Sequence, residues 1–441
     1  MFKKILALGF SVMTIASIQP VFATEVQQPS MSSWATEDIF EGSKYGIFPM
    51  EWCNEVLTQE VTSEQISTII NMIEEKFMVL DLVPVEDYKT DNTNLTRKGI
   101  LHKLYQTIDQ YEGKYGDSVE YFVQNGLLVG DEDSNLRLND VATTEETIIL
   151  ATRFVEHVFD VYDKSAKGIA WEVTNGENTI YLYGVAHTGI SDMYPINPDV
   201  LDAYNSADYL LVEINHFLPL SEEDKVDIFL PEGTVIQDIL SEEVYEKLAL
   251  VCDMQELPVD NLDNFMPWTI KNEFQRIYAR LNPVDESIEQ ATFDYGVDRY
   301  FLTKAMMSDK PVIELESNSD YHETYYNHEY QESQIDLVLD MILNPNDYDN
   351  SNEDFLQCLQ YYIDGDIENF TKLTATLDSE MSMEILYGKR DEKMASQMID
   401  FLEQEGENTY FAAIGAGHYV IDGTIIDILE DKGYTVTEFY R

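Results

Sequence analysis

Positive charge is what this chain most lacks: 27 Lys and Arg stand against 83 Asp and Glu in 441 residues, a net charge of −56. Such a surface repels phosphate backbones, so nucleic acid is excluded as an expected partner. Cysteine is scarce too. Cys53, Cys252 and Cys358 are odd in number and far apart, which leaves neither a disulfide framework nor a CxxC zinc site. Cys252 and Cys358 sit in helix-like apolar contexts with no histidine motif beside them, which argues against a thiol nucleophile. Familiar catalytic signatures are missing as well. His322-Glu323 is followed by Thr324-Tyr325-Tyr326, so there is no HExxH, and no GxSxG elbow, Walker loop or GxGxxG occurs. Beyond the N-terminus no apolar run is long enough for a transmembrane anchor.

What is present suits two folded domains: the length is too great for one ordinary domain, and 44% hydrophobic residues supply cores. Residues 1–23 read as a signal peptide. Lys3 and Lys4 precede an apolar run from Ile5 to Ile18, Pro20 breaks it, and Val21-Phe22-Ala23 fits a small-x-small cleavage rule. That run falls short of the roughly 20 residues a membrane span needs. The expectation is a secreted, extracellular protein starting near Thr24, with its net charge moved from −56 to −58 by loss of the two lysines.

Residues 24–165 have a helical, repetitive texture. Trp34-Ala35 opens a helix that stops at Gly46-Ile47, Val61-Thr62-Ser63-Glu64 caps another over 65–77, and Leu95-Thr96-Arg97-Lys98 begins a third. A helix ending at Gly126 gives way to the polar loop 131–139, and Thr143-Thr144-Glu145-Glu146 then starts a helix to His157. Asp131-Glu132-Asp133 begins like a calcium loop, but Leu136 stands where the sharp turn needs glycine and Ala142 where the bidentate Glu belongs. Trp34-Ala35 with Ile39, Gly46-Ile47, Leu95-Thr96-Arg97, and Gly126-Leu127 with Gly130 together resemble S-layer homology modules. The resemblance is degenerate: Lys98-Gly99 replaces the Ala-Glu of that family's helix start, and Ala142–Glu145 lacks its Arg. It implies a mostly α-helical domain and cell-wall polysaccharide as a partner.

Residues 166–441 alternate strands with helices, which predicts an α/β domain. Strands over 169–173 and 179–183 flank Asn175-Gly176, a hairpin signal. Gly184-Val185-Ala186-His187 and Gly415-Ala416-Gly417-His418 are two GxxH motifs, each directly after a hydrophobic strand. Gly184 and Gly415 are expected to let the chain turn sharply and set an imidazole at the sheet rim, where α/β folds bind ligands. Glu213 and Glu316 end two further strands. Two imidazoles and one or two carboxylates make a reasonable divalent-metal site. The same groups also make a self-satisfied polar cluster, and spacing alone leaves both readings open.

The second region resembles the TraB/GumN group, which includes the Tiki proteins. The resemblance runs from Gly168 to Arg441 and rests on motif order: Leu182–His187, Ala207–Glu213, Met266-Pro267-Trp268, Gly296-Val297-Asp298, Lys310–Glu316, Ala412–His418 and Lys432–Val436. Arg390-Asp391 stands where that family usually has Arg-Asn. The resemblance implies an α/β fold related to erythromycin esterase-like and ChaN-like proteins. It also implies peptide hydrolysis by a bound divalent ion (Mn, Co or Zn). Carried over, His187, Glu213 and His418 are the metal ligands, Glu316 a ligand or general base, and Arg390 the cation for a substrate carboxylate or oxyanion. The alternative is a non-catalytic protein that captures a peptide or haem-like ligand in the same cleft. His216, three residues past Glu213, reads as part of an exposed loop.

Overall fold

A computed structural model describes residues 31–440 except 90–93, 115, 132, 219–226, 282–292, 318, 319, 321, 348–350 and 375–379. The expected signal peptide lies outside the described residues. Among the described residues no helix is long and apolar enough to cross a membrane. They fall into two units. One comprises the described residues up to Ala166 together with Ser191–Leu201; the other comprises Lys167–Ile190 and the chain from Asp202 onward.

The first unit is built on helices Thr36–Tyr45, Ser63–Lys76, Arg97–Glu112, Ser118–Gln124 and Thr144–Val161. Local chemistry sets their ends. Thr62 and Gln65 form a reciprocal capping box, as do Thr143 and Glu146, and the Thr96 hydroxyl accepts from Gly99 N–H. The three segments entering these helices lie side by side: Val61 N–H donates to Ala142 O, and Ala142 N–H to Leu95 O. Ile69, Ile73, Leu104, Ile108, Phe122 and Phe154 fill the space between, Phe122 stacking on Phe154 at 5.4 Å. In the 131–139 loop Asp131 Oδ1 accepts from the backbone N–H groups of Asp133 and Asn135, so this side chain builds the loop's own turn. Within the same unit Lys76 Nζ donates to Ser191 O.

The second unit carries a six-stranded sheet of order β4-β3-β5-β2-β1-β6. The strands are β1 Ile169–Asn175, β2 Asn178–Val185, β3 Tyr209–Val212, β4 Val312–Glu314, β5 Thr409–Gly415 and β6 Val436–Glu438. β1 and β2 pair as an antiparallel hairpin about Gly176-Glu177, and β6 adds antiparallel to β1. β2, β5, β3 and β4 run parallel, so their carboxyl ends share one edge. β5 is buried along six of its seven residues, as a strand covered on both faces must be. An aromatic cluster of Tyr183, Tyr204, Phe301 and Phe411, with Phe301–Phe411 at 4.8 Å, fastens helix Val297–Met307 to the sheet. Each fully buried side chain of this size contributes roughly 1.5–3 kcal/mol. Between β3 and β4, helices Glu242–Met254 and Pro267–Leu281 are inserted, and with His328–Leu343 they close a separate apolar cluster around Leu248, Phe274 and Leu339.

Candidate active site

Backbone pairing at the sheet's carboxyl edge delivers the polar residues to one place. Ala416 N–H donates to Val185 O, which locks the end of β5 to the end of β2. Leu315 N–H reaches Val212 O, and Glu316 N–H reaches Glu213 O at 3.0 Å, so the two acids leave adjacent strand ends together. Val297 N–H donates to Ala186 O at 2.8 Å, seating the start of helix Val297–Met307 beside His187. Helix Lys389–Leu402 supplies Arg390 and Asp391 in its first turn, and Gln397 Nε2 ties it to Leu315 O. A π-helical turn, Glu384–Gly388, leads into that helix and presents Tyr387 edge-on to His418 with ring centroids 5.0 Å apart.

Glu213 is the hub. Its Oε1 accepts from Gly415 N–H at 2.6 Å and lies 3.7 Å from His187 Nε2. Its Oε2 accepts from Arg390 Nη2 at 3.2 Å and lies 3.9 Å from His418 Nε2. The two GxxH imidazoles therefore flank opposite oxygens of one buried carboxylate. On their other sides, His187 Nδ1 is 3.1 Å from Asp298 Oδ2 and His418 Nδ1 is 2.9 Å from Asp391 Oδ1. Arg390 also binds Glu316 in bidentate fashion, Nε to Oε1 and Nη2 to Oε2, both at 2.7 Å. The Glu316 side chain is 0% exposed.

The charges answer to this crowding. Burial alone would hold the His187 pKa down, but the hydrogen-bonded Asp298 carboxylate and nearby Glu213 overcome it and raise the value to about 9. His418 behaves alike: burial opposes its charge, while Asp391 and Glu213 more than restore it and the pKa rises. Burial pushes Glu213 upward, but the two imidazoles, Arg390 and the Gly415 N–H together hold it well below the usual carboxylate range. His216 is the exception. Burial outweighs the attraction of Asp298, so its pKa falls.

The two motif glycines act differently from the expectation. Neither Gly184 nor Gly415 has the positive φ of a sharp turn; each lies within its strand near the end. Close approach is the constraint. A Cβ on Gly184 would lie 3.0 Å from Ala416 Cα, where β2 and β5 draw together. A Cβ on Gly415 would lie 3.0 Å from Glu213 Oε1 and 3.1 Å from His187 Nε2, inside the space the hub groups enclose.

Among the described residues no group of three His, Cys, Asp or Glu is arranged to hold a metal ion as it stands. The donor chemistry nevertheless fits one: two imidazole Nε2 atoms and a carboxylate face each other across the space kept clear at Gly415, and both rings are backed by carboxylates. Charge balance agrees. The four carboxylates Glu213, Glu316, Asp298 and Asp391 face one guanidinium. Two protons on the imidazoles, or one divalent cation between them, reduce the excess negative charge equally.

The structure thus brings His187, Glu213, His418, Arg390 and Glu316 together. The arrangement differs from expectation for two of them. Glu316 has both oxygens on Arg390, and Arg390 is engaged by Glu213, Glu316 and Leu386 O rather than turned outward for a substrate. His216 is drawn to the site's rim, its Nε2 3.7 Å from Asp298 Oδ2 and its side chain 30% exposed. Asp298 and Asp391 were present in the motifs Gly296-Val297-Asp298 and Arg390-Asp391 without an assigned part. Beyond those motifs nothing in the sequence marked them, because the helix first turns in which both stand are set by the structure.

These features define a class: a mixed α/β domain whose parallel strands gather two histidines and a carboxylate–guanidinium pair at their carboxyl edge. The family model of the TraB/PrgY/gumN family matches residues 169–438, and the chain belongs to that family. Among curated relatives, Metalloprotease TIKI2 of Danio rerio is 35% identical over 79 residues, 18% of this chain and 15% of the relative. Metalloprotease TIKI1 of Xenopus tropicalis is 42% identical over 60 residues, 14% of this chain and 12% of the relative. Uncharacterized protein YbaP of Escherichia coli (strain K12) is 29% identical over 143 residues, 32% of this chain and 49% of the relative. The chain therefore matches less than half the length of each of these relatives. No solved structure matches it.

Proposed function

We propose that this chain is a metal-assisted hydrolase acting on peptide bonds. The observation that carries the reading is the pair of strand-end imidazoles whose Nε2 atoms flank opposite oxygens of Glu213 across the space at Gly415. The partial similarity to proteins named as metalloproteases supports it. His187, Glu213 and His418 would hold the ion. When bound, a divalent ion in such a set polarises a carbonyl and lowers the pKa of water.

The chain's own residues supply the rest. Arg390 fixes Glu213 through Nη2 and is itself fixed by Glu316. With both oxygens held by the guanidinium, Glu316 serves as the anchor of Arg390. His216, partly exposed at the rim, is the imidazole that would accept the proton given up by the attacking water and pass it to the departing amine. With a net charge of −56, neutral or cationic peptides are favoured over anionic ones at low salt. The N-terminal pattern of residues 1–23 supports export, and the resemblance of the helical modules supports cell-wall polysaccharide as their ligand, which co-sedimentation with purified walls would test.

The deciding experiment incubates the full chain and its Glu213→Gln variant with a diverse peptide library and Mn²⁺, Co²⁺ or Zn²⁺, with a chelator arm, following cleavage by mass. Ion-dependent cleavage that the substitution abolishes is expected. Cleavage that survives the chelator or the substitution overturns the mechanism. Absence of cleavage with every ion, alongside tight retention of a peptide or haem-like ligand, would favour a binding protein.

A further inference from the structure

The two GxxH imidazoles are held from behind by the same device, built twice from unrelated parts of the chain. Asp298 is the second residue of helix Val297–Met307, and Asp391 the third of helix Lys389–Leu402. Each therefore stands in a helix first turn, where the unpaired N–H groups favour a carboxylate. Each places one oxygen on an imidazole Nδ1, at 3.1 Å for His187 and 2.9 Å for His418. Both acids are buried, Asp391 completely. Asp298 Oδ1 and Asp391 Oδ2 have no hydrogen-bond partner among the described residues, so the imidazole supplies the one side-chain hydrogen bond of each carboxylate there. A carboxylate only accepts, which requires that the hydrogen sit on Nδ1. Nε2 is then left as the atom turned toward Glu213.

We propose that Asp298 and Asp391 are positioning residues that fix the neutral forms of both site histidines as the Nδ1–H tautomer, with Nε2 aimed at the shared centre. Asp298 hydrogen-bonds His187 alone, since His216 Nε2, 3.7 Å from the same oxygen, lies beyond hydrogen-bond reach. Asp391 contacts His418 alone among the described histidines. The inference rests on the proposed function only for the value of an aimed Nε2 to a bound ion; the tautomers themselves do not depend on it.

The test uses the metal-free full chain labelled with ¹⁵N-histidine and long-range ¹H–¹⁵N correlation, recorded above the His187 pKa of about 9 so that this ring is neutral, with the three rings assigned from His187→Gln, His418→Gln and His216→Gln. Removing the acceptor in Asp391→Ala is expected to shift His418 away from the Nδ1–H form and to leave His187 and His216 unchanged. Asp298→Ala is expected to shift His187 away from the Nδ1–H form in the same way and to leave the His418 tautomer unchanged. Asp391→Asn and Asp298→Asn, whose amide oxygens still accept, should retain the tautomers. They should weaken Zn²⁺ affinity, measured calorimetrically, by about 10–100-fold, because a neutral acceptor makes the imidazole a poorer ligand. If an alanine variant fails to fold, the asparagine variants carry the test through affinity. Unchanged tautomers in both folded alanine variants, or unchanged Zn²⁺ affinity in both asparagine variants, overturn the proposal. If the wild type binds no Zn²⁺, Mn²⁺ or Co²⁺, the metallohydrolase reading falls, and the tautomer spectra still decide the positioning.

Discussion

The helical unit and the sheet's polar edge are stabilised on different scales of sequence. In the helical unit the devices that set structure span three residues: Thr62 with Gln65, Thr96 with Gly99, Thr143 with Glu146. At the sheet edge the decisive bonds span far greater distances, with Arg390 to Glu213 bridging 177 residues, Gly415 to Glu213 bridging 202, and His187 to Asp298 bridging 111. Local devices are individually modest and replaceable. Long-range polar networks in a buried site are neither, because removing one member leaves the others charged and without water.

The comparison can be broken first at Arg390. Replacing it with Ala leaves Glu213 and Glu316 buried without their guanidinium, and a loss of ~3–5 kcal/mol is expected in the urea unfolding of the unit that contains the sheet. A loss under 1 kcal/mol would mean that the network is solvated and its energetics resemble the surface's.

A pH series probes the same network without mutation. His187 rises from its ordinary 6.5 to about 9 on folding, against burial and through Asp298 and Glu213. Its stabilisation is therefore complete below about pH 6.5 and lost as pH climbs through about 9, a change of ~3 kcal/mol. Glu213 works in the opposite window: its lowered pKa gives stability above the usual carboxylate range that disappears in strong acid. Tm measured from pH 6 to 10 should fall across the upper window in the wild type and fall less in His187→Gln. Parallel curves would show that His187 does not carry the charge.

Smaller effects belong to devices local in sequence, beginning in the helical unit. Thr143→Ala removes a capping box and should cost ~1 kcal/mol, read from that unit's unfolding. Smallest of all is the exposed Arg276–Glu273 pair at 2.7 Å, where Arg276→Ala should change stability by less than ~0.5 kcal/mol. A cap that cost as much as Arg390 would erase the distinction between the two scales.

The helical and strand segments were readable where their signals are local. Threonine caps, glycine stops at Gly46 and Gly126, and the hairpin turn at Gly176 all depend on neighbours within a few residues, so the pattern in the chain suffices to place them. The strand-end position of His187, Glu213, Glu316 and His418 was readable for the same reason: each follows an apolar run directly. What the four do to one another was not. That Glu316 is spent on Arg390, that Glu213 is the hub, and that Asp298 and Asp391 stand behind the two rings depend on the order β4-β3-β5-β2 and on two helix starts pinned to strand ends. Sequence by itself determined which residues reach the carboxyl edge, since period and capping act within a turn or a strand. Only tertiary structure decided their partners, because a hydrogen bond's geometry is set by the packing of segments that the chain separates by a hundred residues or more.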